Sequence, residues 1–173
     1  MIGIDSIRRI AGFVTVAGCG VVMSIQMAAT SAAQSESSMP APEKADLPYL
    51  IHATNLVELE QSTANEETQK NDQLYWVAGA NSPVQTPLAG PQFLFKSGEI
   101  NPRDFQLYGF ESKNGRREVI IRKKKKLVAT PHFVSVFEAG PGIYRVRVDD
   151  TLANGEYCLT PNGSNAVFCF AVF

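Results

Sequence analysis

The chain has 173 residues, 45% of them hydrophobic, with 16 Lys and Arg against 17 Asp and Glu and only two His. A formal net charge of −1 excludes the basic balance of a protein that binds nucleic acid over its whole surface. The two histidines, His52 and His132, form no His-x-x-x-His spacing, so the sequence offers no ligand pattern for a metal and calls for no cofactor.

Arg8 and Arg9 precede an apolar stretch of 20 residues, Ile10 to Ala29, and then the small residues Thr30-Ser31-Ala32-Ala33. This is the order of an export signal. Three fates compete. Cleavage after Ala33 suits Ser31-Ala32-Ala33; an uncleaved anchor suits a stretch long enough to cross a bilayer. Lipidation at Cys19 suits Val16-Ala17-Gly18-Cys19, although the residues after it stay apolar. Residues 1–33 are therefore expected to be a signal peptide or anchor, which places the mature chain in the periplasm or outside the cell. Residues 34–46, rich in Ser, Pro, Ala and Glu, are expected to be a disordered tether. Residues 47–173 are long enough for one domain and too few for two of ordinary size.

From Pro48 onward short β-branched or aromatic runs recur between Gly, Pro and Asn clusters, without a sustained 3.6-residue period. The expected strands are Tyr49 to Glu60, Gln73 to Ala78, Gln92 to Lys96, Phe105 to Glu111, Arg117 to Lys124, Phe133 to Glu138, Ile143 to Val148, Glu156 to Thr160 and Val167 to Val172. That density predicts an all-β, immunoglobulin-like antiparallel sandwich of about seven to nine strands. "QSTANEETQKND" is wholly polar and reads as a long loop or a single helical turn, and "AGANSPVQTPLAGPQ" must cross the surface between strands. At Lys113-Asn114-Gly115 a two-residue turn would set Glu111 opposite Glu118, like charges in an unfavourable place, so a three-residue loop pairing Glu111 with Arg117 is preferred. Trp76 reads as a core anchor, or alternatively as part of a sugar- or peptide-binding surface.

Cys158 and Cys169 flank "LTPNGSNAVF", and their midpoint falls between Gly163 and Ser164. A hairpin turning there sets the two cysteines opposite one another, at a spacing a disulfide tolerates. A staple on an edge hairpin is expected, worth about 2 to 3 kcal/mol. "GIYRVRVDDTLANGEYCLTPNGSNAVFCFAVF", with "REVII" upstream, resembles the carboxyl-terminal part of a family of uncharacterised exported bacterial proteins with an immunoglobulin-like β-sandwich. The resemblance implies the fold over roughly the last 80 residues and supplies no catalytic residue. It also implies a tyrosine corner at Gly155-Glu156-Tyr157.

The run Arg122, Lys123, Lys124, Lys125 and Lys126 is the candidate patch for an anionic partner. A central strand would have to bury some of these cations unpaired, so the run belongs on an edge strand or on a segment leaving the sheet. There it would either deter edge-to-edge association or attract phosphate-bearing lipid, an anionic polymer or the acidic amino-terminal part of its own chain. The carboxylate pairs Asp149-Asp150 and Glu66-Glu67 read as solvated loop acids, and no Gly-x-Ser-x-Gly elbow is present. The function these features support is an exported envelope module that binds a partner protein or an anionic envelope polymer without catalysis. The alternative is an enzyme or enzyme accessory with a loop-built site.

Overall fold

A computed structural model describes residues 40–124 and 126–173. The signal segment, Cys19 and Lys125 lie outside the described residues. In chain order the strands are β1 (Pro48–His52), β2 (Asn55–Glu58), β3 (Glu60–Thr63), β4 (Asn65–Gln69), β5 (Asp72–Ala78), β6 (Gln85–Thr86) and β7 (Gln92–Lys96). After a single 3₁₀ turn at Pro102–Asp104 come β8 (Phe105–Lys113), β9 (Arg116–Lys123), β10 (Lys126–Leu127), β11 (Val134–Gly140), β12 (Ile143–Val148), β13 (Gly155–Pro161) and β14 (Ala166–Val172).

The fold is an all-β sandwich of two sheets. One sheet has the order β11-β12-β7-β1-β2, and the other runs β3-β14-β13-β8-β9-β5-β4. Their facing sides meet in a core containing Leu50, Phe93, Phe95 and Val146 from the first sheet and Phe105, Leu107, Leu159, Phe168 and Phe170 from the second. Phe95 meets Phe105 edge-on at 5.0 Å between ring centroids, and Phe93 tilts against Phe170 at 5.2 Å. Such offset and edge arrangements suit the ring quadrupoles and add to the burial of apolar area. Tyr157 donates its hydroxyl to the carbonyl of Ala153 at 2.8 Å, which is the bond of a tyrosine corner.

The second sheet curls. Only Ala64 separates β3 from β4, so one stretch of backbone forms both ends of the strand order, pairing with β14 on one side and β5 on the other. The curled sheet encloses a second, smaller core of Ala64, Val77, Cys158, Val167 and Cys169, against which Tyr75 and Phe110 pack. Strands β13 and β14 are therefore covered on both faces: Leu159 and Phe168 point into the sandwich core, while Cys158 and Cys169 point into the curl. Two-sided burial explains why Val167 to Val172 is apolar without alternation.

Several local expectations change. Cys158 and Cys169 are register partners joined by a disulfide with a Cα–Cα distance of 4.1 Å, but their hairpin lies in the middle of the sheet between β3 and β8. It is not an edge hairpin, because its apolar residues need cover on two faces. The polar stretch Gln61 to Asp72 is neither loop nor helical turn; it supplies β3, β4 and a tight turn in which Lys70 and Asn71 have φ of 48° and 74°. At the other hairpin, Asn114 and Gly115 have φ of 53° and 77°, a two-residue turn that sets Glu111 opposite Glu118. The like charges are tolerated because Arg116 and Lys113 bind the Glu118 carboxylate at 3.0 and 3.3 Å. Trp76 is half-buried on the outer face of β5, with the Arg116 guanidinium 5.1 Å above its ring, and is not a core anchor.

Among the described part of the amino-terminal stretch, Asp46 stands at φ 59° and its carboxylate accepts the N–H groups of Gly98, Glu99 and Ile100 at 2.8 to 3.0 Å. Burial raises its proton affinity, but these three bonds outweigh burial and hold the carboxyl below its ordinary value of 3.8.

Candidate functional site

The basic run begins as the end of β9 and then reverses. Lys124 takes a left-handed φ of 48°, and Lys126 and Leu127 return along the strand to face Lys123 and Arg122. The cations thus do not continue one strand with alternating sides; a hairpin carries them off the sheet, as an unpaired charged run requires. Asp72 Oδ1 accepts the Lys124 N–H at 3.1 Å, which joins this hairpin to the β4–β5 turn and brings Lys70 to the same end. Arg122, Lys123, Lys124 and Lys126 are exposed, and among the described residues none of their side chains pairs with a carboxylate. Leu127 and Val128 follow at 62% and 46% exposure, so large apolar groups sit directly beside the cations.

A different cation is buried. Arg117, fully covered, points into the curl and binds both oxygens of Glu60 at 2.7 Å, the carbonyls of Gly79 and Ala78 at 3.0 Å each, and lies 3.8 Å from Glu156. Glu156 also accepts the N–H of Ser82 at 2.9 Å. Burial pushes the Glu156 carboxyl above its ordinary 4.5, Ser82 and Arg117 pull it down, and Glu60 adds to the rise. Sequence reasoning missed this cluster because its members lie on β3, β9 and β13 and become neighbours only when the sheet curls.

His132 lies beside a cleft lined by Gly109, Glu111, Glu118 and Thr130, with its Nδ1 3.1 Å from Asp150 Oδ2. Asp150 also accepts the Phe133 N–H at 3.1 Å and so can fix the imidazole's orientation. His52 is exposed, far in sequence from this pair. Among the described residues no group of three or more His, Cys, Asp or Glu is placed to hold a metal ion, and no helix is long and apolar enough to cross a membrane.

The fold and this surface define an exposed basic hairpin on a β-sandwich that is stapled internally by a disulfide. Comparison of the chain with protein-family models, curated proteins and solved structures returned no match.

Proposed function

We propose that this domain is an exported, non-enzymatic binding module of the cell envelope that docks on phosphate-bearing anionic material through the β9–β10 hairpin. The observation that carries the reading is the hairpin itself, with four described cations exposed and unpaired at its tip and Leu127 and Val128 next to them. Edge protection fits less well, because β9 is paired by β8, β5 and β10 in turn and the lysines stand on a hairpin rather than along a free edge. The buried disulfide agrees with an oxidising compartment.

Each Lys or Arg near an anionic surface contributes about 1 kcal/mol, so removing three should weaken binding by roughly a hundredfold. The test is cosedimentation of the protein with vesicles of phosphatidylcholine alone and of phosphatidylcholine with phosphatidylglycerol, alongside a soluble polyphosphate arm that separates lipid from polymer as the phosphate source. The expected result is retention on one anionic partner, loss at about 0.5 M salt, and loss in the Lys123→Gln/Lys124→Gln/Lys126→Gln variant. Binding to neither anionic partner, or binding unchanged in that variant, would overturn the proposal.

A further inference from the structure

The paired ladder of β8 and β9 stops at Glu111 opposite Glu118. Beyond that point β8 runs on with β13 and β9 with β5, and the two strands diverge. Alternation along an antiparallel ladder makes Gly109 and Ile120 the next hydrogen-bonding partners, and that pairing is not made. Residues 126–132 bridge the wide end of the fork: Val128 donates to Ile121 at 2.9 Å and His132 to Leu107 at 2.8 Å. The fork therefore has fixed walls.

Inside the curl, the fork opens into a cleft of about 230 Å³. Its walls are the rings of Tyr75, Tyr108 and Phe110 and the aliphatic groups of Val119 and Ile121. The alternation of β5, β8 and β9 brings them to one side, and the layer beneath, Ala64, Val77, Val167 and the disulfide, holds Tyr75 and Phe110 in place. Gln106, Asn162 and Asn165 stand at the rim, and Tyr108 donates to Gln106 Oε1 at 3.0 Å, leaving that amide's NH₂ for another partner. The side chains of Asn162 and Asn165 make no hydrogen bond within the described chain.

We infer that this cleft binds a single ring of an uncharged saccharide. Among the described residues no charged side chain lines the cleft, which disfavours an ionic ligand because a charge taken out of water requires a partner there. The volume is below the roughly 300–1,000 Å³ of sites for drug-sized ligands, so one ring is the unit that fits. Aromatic faces cover the C–H face of a sugar ring, and carboxamides suit its hydroxyls because both kinds of group donate and accept. The cleft is separate from the cationic hairpin in chemistry, and its occupancy does not depend on an anionic partner.

The test is a heteronuclear NMR titration of the oxidised protein with maltose and, separately, with N,N′-diacetylchitobiose to about 10 mM, a range that detects dissociation constants near 1 mM. Saturable shifts confined to Tyr108, Val119 and residues 162–165 with at least one sugar are expected. Tyr108→Ala should weaken that binding about tenfold, the order of one aromatic contact. Because Tyr108→Ala removes a half-buried ring, the exposed substitution Asn162→Ala provides the second variant and should weaken binding at least threefold with the fold intact. Lys123→Gln/Lys124→Gln should leave the shifts unchanged, which separates failure of this site from failure of the anionic one. The inference is overturned if neither sugar shifts these resonances, or if Asn162→Ala and every folded Tyr108 variant bind as the unaltered protein does.

Discussion

Replacing Arg117 by Met removes the guanidinium and keeps most of its length. The two short bonds to Glu60 and the bonds to Gly79 and Ala78 disappear together, and Glu156 loses the cation 3.8 Å away. Breaking a buried ion pair from one side costs about 3–5 kcal/mol, because the remaining charge has neither water nor partner. Glu60 is 21% exposed at its side chain and can recover some hydration, whereas Glu156 at 10% cannot, which favours the lower half of that range, about 3 kcal/mol. Urea unfolding with the disulfide intact measures it, and a thermal midpoint about 10 °C lower should accompany it. Arg117→Lys should recover little, since an ammonium cannot reproduce the two-oxygen grip on Glu60. The pH dependence follows from Glu156. A carboxyl raised above 4.5 in the folded state binds more protons there than in the unfolded chain, so its contribution to stability falls as pH rises from 4.5 through the folded value. Removing Arg117 removes a downward pull, so the variant should regain stability on acidification toward 4.5 over a wider window than the unaltered protein. A loss below about 1 kcal/mol, or Glu60→Gln costing the same with and without Arg117, would refute the reasoning.

Asp46→Ala should destabilise by about 1–3 kcal/mol, as three charge-assisted N–H bonds are lost. Because the Asp46 carboxyl is lowered, its contribution is present above the unfolded value of 3.8 and disappears as pH falls through the folded one, so urea midpoints of variant and parent should converge only in strong acid. Thiol titration in denaturant should give two more thiols with reductant than without it. Reduction should lower stability by about 2–3 kcal/mol for the short loop between Cys158 and Cys169, and equal thiol counts would refute the bridge.

The parts legible in the sequence are those whose signal is local. Gln92 to Lys96 and Ile143 to Val148 coincide with β7 and β12 because apolar and β-branched residues fill each run between turn residues. The disulfide register was legible because Cys158 and Cys169 are equidistant from the Gly163–Ser164 turn. β4 was not legible: Asn-Glu-Glu-Thr-Gln has no apolar alternation, and the strand is held by its ladder to β5 and by continuity through Ala64. The central place of β13 and β14 did leave a mark, the unalternating apolar run from Val167 to Val172, which signals burial on both faces. At the Asn114–Gly115 turn, the repulsion between Glu111 and Glu118 taken alone points to the wrong register, because Lys113 and Arg116 within the same hairpin carry charges that reverse the balance. In the candidate site, the exposure of the cations followed from their number, but the reversal at Lys124 did not, since nothing in a run of identical lysines marks where it turns.

The interior of the curled sheet is graded along its length. Arg117, Glu60 and Glu156 fill one end and are bonded by backbone from residues 78–82; the disulfide, Val77, Ala64 and Val167 occupy the middle; and the aromatic cleft opens at the other end. The order follows from period-two alternation on β9, where Arg117, Val119 and Ile121 point inward in turn before the strand leaves the sheet as the cationic hairpin. The largely buried charged cluster thus lies at the opposite end of the inward-facing β9 residues from the exposed cations. The hairpin cations bury little area and make no ion pair among the described residues, so substituting them removes charge without opening a cavity or stranding a buried partner. The binding proposed at the hairpin and the folding of the sandwich should accordingly be separable by mutation, whereas Arg117 couples β3, β5, β9 and β13 and cannot be altered without loosening all four.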